Sequence, residues 1–73
     1  MKNIHGMNYP VTDNVQKLMK QQGITVDELS ENSGIIIKDL MMILSDQRVI
    51  RPDEIAYIAK GLGVDFNALF QEL

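Results

Sequence analysis

Chemistry in this 73-residue chain has to come from a handful of side chains. The only histidine, His5, stands in the opening MKNIHGMNYP, outside any grouping of serine, histidine and carboxylate that could drive hydrolysis. Asp27, Glu28 and Glu31 cluster in TVDELSENSG, where acidic residues at a helix start serve the helix dipole and solvent before they serve a metal. There is no cysteine, and no glycine loop of the phosphate-cradling kind. The expectation is a protein that is not an enzyme and takes no cofactor or metal. What remains is recognition by charge. Arg48 and Arg51 flank Val49 and Ile50, and with Lys38 they form the best candidate for a basic patch. The same arginines can instead pair with Asp46 and Asp53.

The total charge counts against a strongly basic surface. Seven Lys and Arg against ten Asp and Glu give a net charge of -3 and a pI of about 4.8, whereas nucleic-acid binders usually gain affinity by neutralising phosphates and releasing counterions. A local patch can still coexist with acidic faces. A chain this short buries only a modest core. No apolar run is long enough to span a bilayer, and the opening lacks the apolar stretch of a signal peptide. The expectation is a cytoplasmic protein that stays off membranes.

Helical grammar recurs along the sequence. Residues 1–11 read as an N-terminal arm and 12–73 as one domain. Asp13 and Gln16 make a capping pair for a first helix over residues 13–22, with Val15, Leu18 and Met19 at helical spacing and Gly23 as its stop. Thr25 followed by Glu28 is a capping box for a second, short helix that ends near Gly34. A third helix is expected over residues 36–45, within SGIIIKDLMMILSDQ. Pro52 at a first helical position, then Asp53 and Glu54, opens a fourth helix with Ile55, Ile58, Ala59 and Leu62 as its apolar stripe and Gly61 and Gly63 at its end. Asp65 reads as the cap of a last helix whose inward face is Phe66, Leu69 and Phe70. No segment alternates as a strand does, so the fold class is all-α. On a helical wheel centred at Leu40, the residues Ile36, Ile37, Ile43 and Leu44 fall on the core side. Lys38, Met42 and Ser45 face away, with Met41 on the flank.

The spacing of GIT at 23–25, ELS at 28–30, SGI at 33–35, Leu40 and Ile43, IAKGLGV at 58–64 and LF at 69–70 resembles the Cro/C1-type, lambda-repressor-like helix-turn-helix proteins. The resemblance covers residues 13–70. It implies a five-helix bundle whose third helix enters the DNA major groove, commonly in a homodimer, with Leu29, Ile35, Leu40, Ile43, Ile58 and Leu62 in the core. It places the base-reading positions on Ile37, Lys38, Asp39 and Met42, and brings the loop carrying Arg48 and Arg51 near DNA backbone. Lys38 can donate to guanine and Asp39 can accept from cytosine, while Ile37 and Met42 can touch a thymine methyl.

The sequence also departs from the family pattern. Val26 stands where a glutamine usually contacts DNA backbone, and Ile36 where a serine or threonine caps the third helix. Met19 and Leu44 replace an arginine and glutamate that commonly tie the first helix to the third. Because both charges are replaced together, no buried charge is stranded. Two functions follow. One is a transcriptional regulator bound to double-stranded DNA. The other is a protein-binding, antirepressor-like module that docks on another regulator through Met41 and Met42, while Val49 and Ile50 are compatible with an apolar dimer seam, because dimers of the resembled family often use the region after the third helix.

Overall fold

Helix boundaries in this chain are set by where backbone groups find partners. In the computed structural model, which describes residues 6–72, α1 spans Val11–Gln22 and α2 spans Val26–Ser33. They are followed by α3 at Ile37–Leu44 and α4 at Pro52–Leu62. Phe66–Phe70 forms a 3-10 turn. The described residues contain no strand, so the all-α class holds, with four α-helices rather than five. His5 and the rest of residues 1–5 lie outside the described residues.

The second helix forms as its sequence requires. Thr25 Oγ1 accepts from the Glu28 N–H at 3.2 Å, and the Thr25 N–H donates to Glu28 Oε1 at 2.8 Å. Two N–H groups that have no partner within the helix are thereby satisfied. The first helix departs from expectation. It begins at Val11 after Pro10, with no side-chain cap, so Asp13 and Gln16 do not form a capping pair. The polar residues Thr12 and Asn14 are buried. Asn14 Nδ2 donates to the carbonyls of Leu69 and Gln71 at 2.9 and 2.8 Å, fastening the C-terminal turn to α1.

The core matches the spacing. Leu29, Ile35, Leu40, Ile43, Ile58 and Leu62 are all buried, and Ile55 and Ala59 complete the inner stripe of α4. Each fully buried aliphatic side chain contributes about 1.5–3 kcal/mol relative to exposure. Met19 and Leu44 pack half-buried against this cluster as apolar replacements. Gly61 does not end α4. The helix continues to Leu62 and exits through left-handed Gly63. A Cβ on Gly61 would lie 3.1 Å from the Ser33 backbone nitrogen, so glycine is what lets α4 press against the end of α2.

Within Phe66–Phe70 only Leu69 is buried. Phe66 and Phe70 are each 43% exposed, their rings tilted at 45° with centroids 5.1 Å apart, and Asp65 makes no side-chain cap. The 3-10 turn thus buries one of the three side chains expected on an inward face.

Candidate functional site

The third helix is held from one side. Ile35, in the three-residue connection Gly34–Ile36, is buried beneath the α2–α3 corner, and Gly34 makes that corner in the left-handed region at φ 80°. Leu40 and Ile43 anchor α3 with no exposed surface. Its outer face carries exposed Ile37, Lys38, Met41 and Ser45 along the length of the helix.

Four placements differ from the helical wheel. Ile36 is 63% and Ile37 39% exposed. Ile36 is the N-cap residue, with extended backbone, so a 100° step does not apply to it, and Ile37 begins the first turn beyond the core. Ile35 takes the buried place instead. Met42 is half-buried, while Met41, expected on the flank, is 56% exposed. Asp39 is half-buried near the corner.

A shallow depression is lined by Ile37, Lys38, Met41, Met42, Ser45 and Gln47. A second, bounded by Gln16, Val26, Met41, Leu44 and Ser45, adjoins it through Met41. Val26 thus presents an apolar wall where the resemblance would have a hydrogen-bonding glutamine. The face combines one cation, three large apolar side chains and short polar groups.

The two arginines are engaged elsewhere. Arg48 makes a two-pronged pair with Glu54, Nη1 to Oε1 at 2.9 Å and Nη2 to Oε2 at 2.6 Å. Arg51 reaches Asp53 at 3.3 Å and Glu54 at 3.5 Å, and its N–H donates to Glu54 Oε1 at 3.0 Å. Glu54 is the buried hub, its side chain only 4% exposed. The Arg48 guanidinium and the Arg51 N–H outweigh its desolvation, so its carboxyl falls from the ordinary 4.5 to about 2. The same hydrogen bond raises the Arg48 pKa. The pairing anticipated for these arginines occurs, but for Arg48 with Glu54 rather than Asp46. Arg51 remains 65% exposed and can still turn a guanidinium edge outward.

The expected apolar seam is divided. Val49 is 64% exposed, whereas Ile50 is 8% exposed and belongs to the core, which removes it as an interface residue. Its burial follows from a contact absent from the sequence reading. Asn8, assigned to an arm, is 3% exposed and bonds to the end of α3 and the loop beyond it. The described part of the arm, residues 6–10, therefore belongs to the domain. No local spacing announces this, because Asn8 lies 35–42 residues from these partners.

Among the described residues no three His, Cys, Asp or Glu side chains converge as a metal site, and no helix is long and apolar enough to cross a membrane. No protein-family model, curated protein or solved structure matches the chain. The resemblance to Cro/C1-type proteins therefore rests on the spacing of this chain's own residues.

Proposed function

We propose that this protein is a small helix-turn-helix transcriptional regulator that binds double-stranded DNA as a homodimer, with α3 in the major groove. The observation that carries this reading is the mounting of α3. Leu40 and Ile43 fix its inner face, and the chain leaves its outer face uncovered from Ile37 to Ser45. A helix held in this way after a three-residue corner suits insertion into a groove wide enough for one helix. Lys38 supplies the donor to a base edge or phosphate, Ile37 and Met41 supply apolar contact to thymine methyls, and exposed Arg51 lies nearest to a backbone role. Arg48 is bound to Glu54 and serves that contact less well.

Binding of this kind carries a shallow salt dependence. Each phosphate neutralised adds about 0.9 to the slope of log affinity against log salt, and few cations face outward here. The test is retention of the protein on fragmented genomic DNA across a salt series, with Lys38→Ala alongside. Salt-sensitive retention that falls in the variant supports the reading. Absence of retention even at low salt, or indifference to Lys38→Ala, overturns it.

The apolar character of the same face favours a second reading, an antirepressor-like module that docks on another regulator. Ile37 and Met41 are exposed beside half-buried Met42, and both arginines sit in ion pairs. Methionine adapts to irregular apolar partners better than it discriminates between bases. This reading requires association with a protein that Met41→Lys abolishes, without any DNA requirement.

A further inference from the structure

We infer that Asn8 is a positioning residue for the DNA-facing end of the domain, acting as a latch between the N-terminal segment and the loop that leaves α3. The functional part of this inference rests on the regulator reading. The mechanical part stands on the geometry alone.

Asn8 uses both N–H donors of its side-chain amide and one acceptor position on its oxygen. Nδ2 donates to the Ile43 carbonyl at 3.0 Å and to the Arg48 carbonyl at 2.9 Å, while Oδ1 accepts from the Ile50 N–H at 2.8 Å. Its backbone N–H donates to Asp46 Oδ1 at 3.2 Å. The bond to Ile43 stabilises a carbonyl in the last turn of α3. The other two side-chain bonds grip peptide groups on either side of Val49, as a neighbouring strand would. The Val49 backbone is fixed by this grip and its side chain faces solvent.

Two further features bind the segment to the same loop. Asp46 has φ 61°, in the left-handed region that aspartate enters more readily than most side chains, and this turn brings its carboxylate to the Asn8 N–H. Its carboxylate accepts from Asn8 and lies over Gly6, where an added Cβ would collide with it. Gly6, Asn8 and Asp46 thus form one interlocked contact that sets the path from the end of α3 to Arg48. That path determines whether Arg48 reaches Glu54 and where Val49 and Arg51 stand relative to α3.

Asn14 provides a matched control. It is also a buried asparagine donating to two carbonyls, but it fastens the C-terminal turn to α1. Asn8→Ala, Gly6→Ala and Asn14→Ala are compared by thermal melting, amide hydrogen exchange and backbone NMR on the protein without DNA. Asn8→Ala is expected to speed exchange at the Ile50 amide by roughly tenfold or more, beyond any global change, and to shift the Val49 and Arg51 resonances. Gly6→Ala, which keeps the Asn8 side chain but displaces Asp46, should shift the same resonances and guards against an Asn8 variant that does not fold. Asn14→Ala should lower the melting temperature with no selective change at Val49, Ile50 or Arg51. Equal local exchange in the Asn8 and Asn14 variants, or unchanged loop resonances in both Asn8→Ala and Gly6→Ala, overturns the latch.

DNA retention is then measured below the melting transition. Weaker retention for Asn8→Ala than for Asn14→Ala supports positioning, whereas equal retention despite a shifted loop overturns it. If the unaltered protein retains no DNA, the regulator reading fails, and the spectra of the free protein still decide the mechanical latch.

Discussion

Glu54 shows how a single side chain can contribute more than its charge. It is buried, it accepts both prongs of Arg48, and it takes the Arg51 N–H at the start of α4. Its folded pKa of about 2 lies below the ordinary 4.5. Between these values the unfolded chain holds more protons, so stability rises with pH across that window. The contribution is complete above about pH 5 and is lost as the pH falls towards 2. It is on the order of 3 kcal/mol. Urea midpoints measured from pH 7 to pH 2 should fall steeply in the lower part of this range. Glu54→Gln should be less stable at pH 7 and flatter below pH 5, and a parallel curve for the two proteins would sink the assignment. The sequence offered Glu54 only as an acidic residue in a first helical turn. Its role as hub depends on Arg48 folding back across the loop, which helical spacing does not encode.

Among the elements, α2 was legible almost to the atom and α3 less so, because their ends are satisfied differently. Thr25 and Glu28 are three residues apart and bond each other, so local sequence suffices. Thr25→Ala should cost about 1 kcal/mol in chemical denaturation. The start of α3 has no side-chain cap, and its far end uses distant donors. Asn8 reaches the Ile43 carbonyl, and Gln16 Nε2 reaches the Leu44 carbonyl at 3.3 Å. No window around α3 contains those partners, and the isoleucines near its start were assigned to the core because a wheel cannot show where the helix begins. The core itself was readable where one helix carries several of its residues, since Leu40 and Ile43 on α3 and Ile55, Ile58, Ala59 and Leu62 on α4 stand three or four apart, as an inward helical face requires.

Gly61 sets two known effects against each other at the same scale. Replacing glycine with alanine in a helix interior ordinarily gains about 1 kcal/mol, an upper bound at the penultimate position that Gly61 holds in α4. Here the new Cβ would meet the α2 backbone at 3.1–3.2 Å, at Ser33 and Asn32. Backbone in a packed helix cannot rotate aside as a side chain can, and overpacking costs about 1–3 kcal/mol. Gly61→Ala should therefore lower the melting temperature despite its better helix propensity, and a rise would show that α2 and α4 separate easily.

At the scale of the whole molecule, fold and function part company. Core spacing fixes a helical bundle that can present α3, but it does not choose what α3 meets. The net charge of -3 and the engagement of Arg48 by buried Glu54 oppose broad phosphate binding, while the uncovered α3 face favours insertion into a partner. Met41 discriminates between the two readings because a charge there has opposite consequences. It is 56% exposed, so Met41→Lys should leave stability within about 0.5 kcal/mol of the parent. Against DNA of mixed sequence the new lysine gives up the thymine contact of Met41 but adds a cation beside Lys38, so binding at low salt should strengthen and the salt slope steepen by about 0.9 for each added phosphate contact. Against an apolar protein partner the same ammonium must be desolvated without a counter-charge, so association should weaken by about 2 kcal/mol or more. Titrating parent and variant against fragmented DNA and by protein capture gives a gain in one channel or a loss in the other. A steeper salt slope with stronger DNA retention supports the regulator. A flat DNA response with lost protein capture moves the assignment to the protein-binding module.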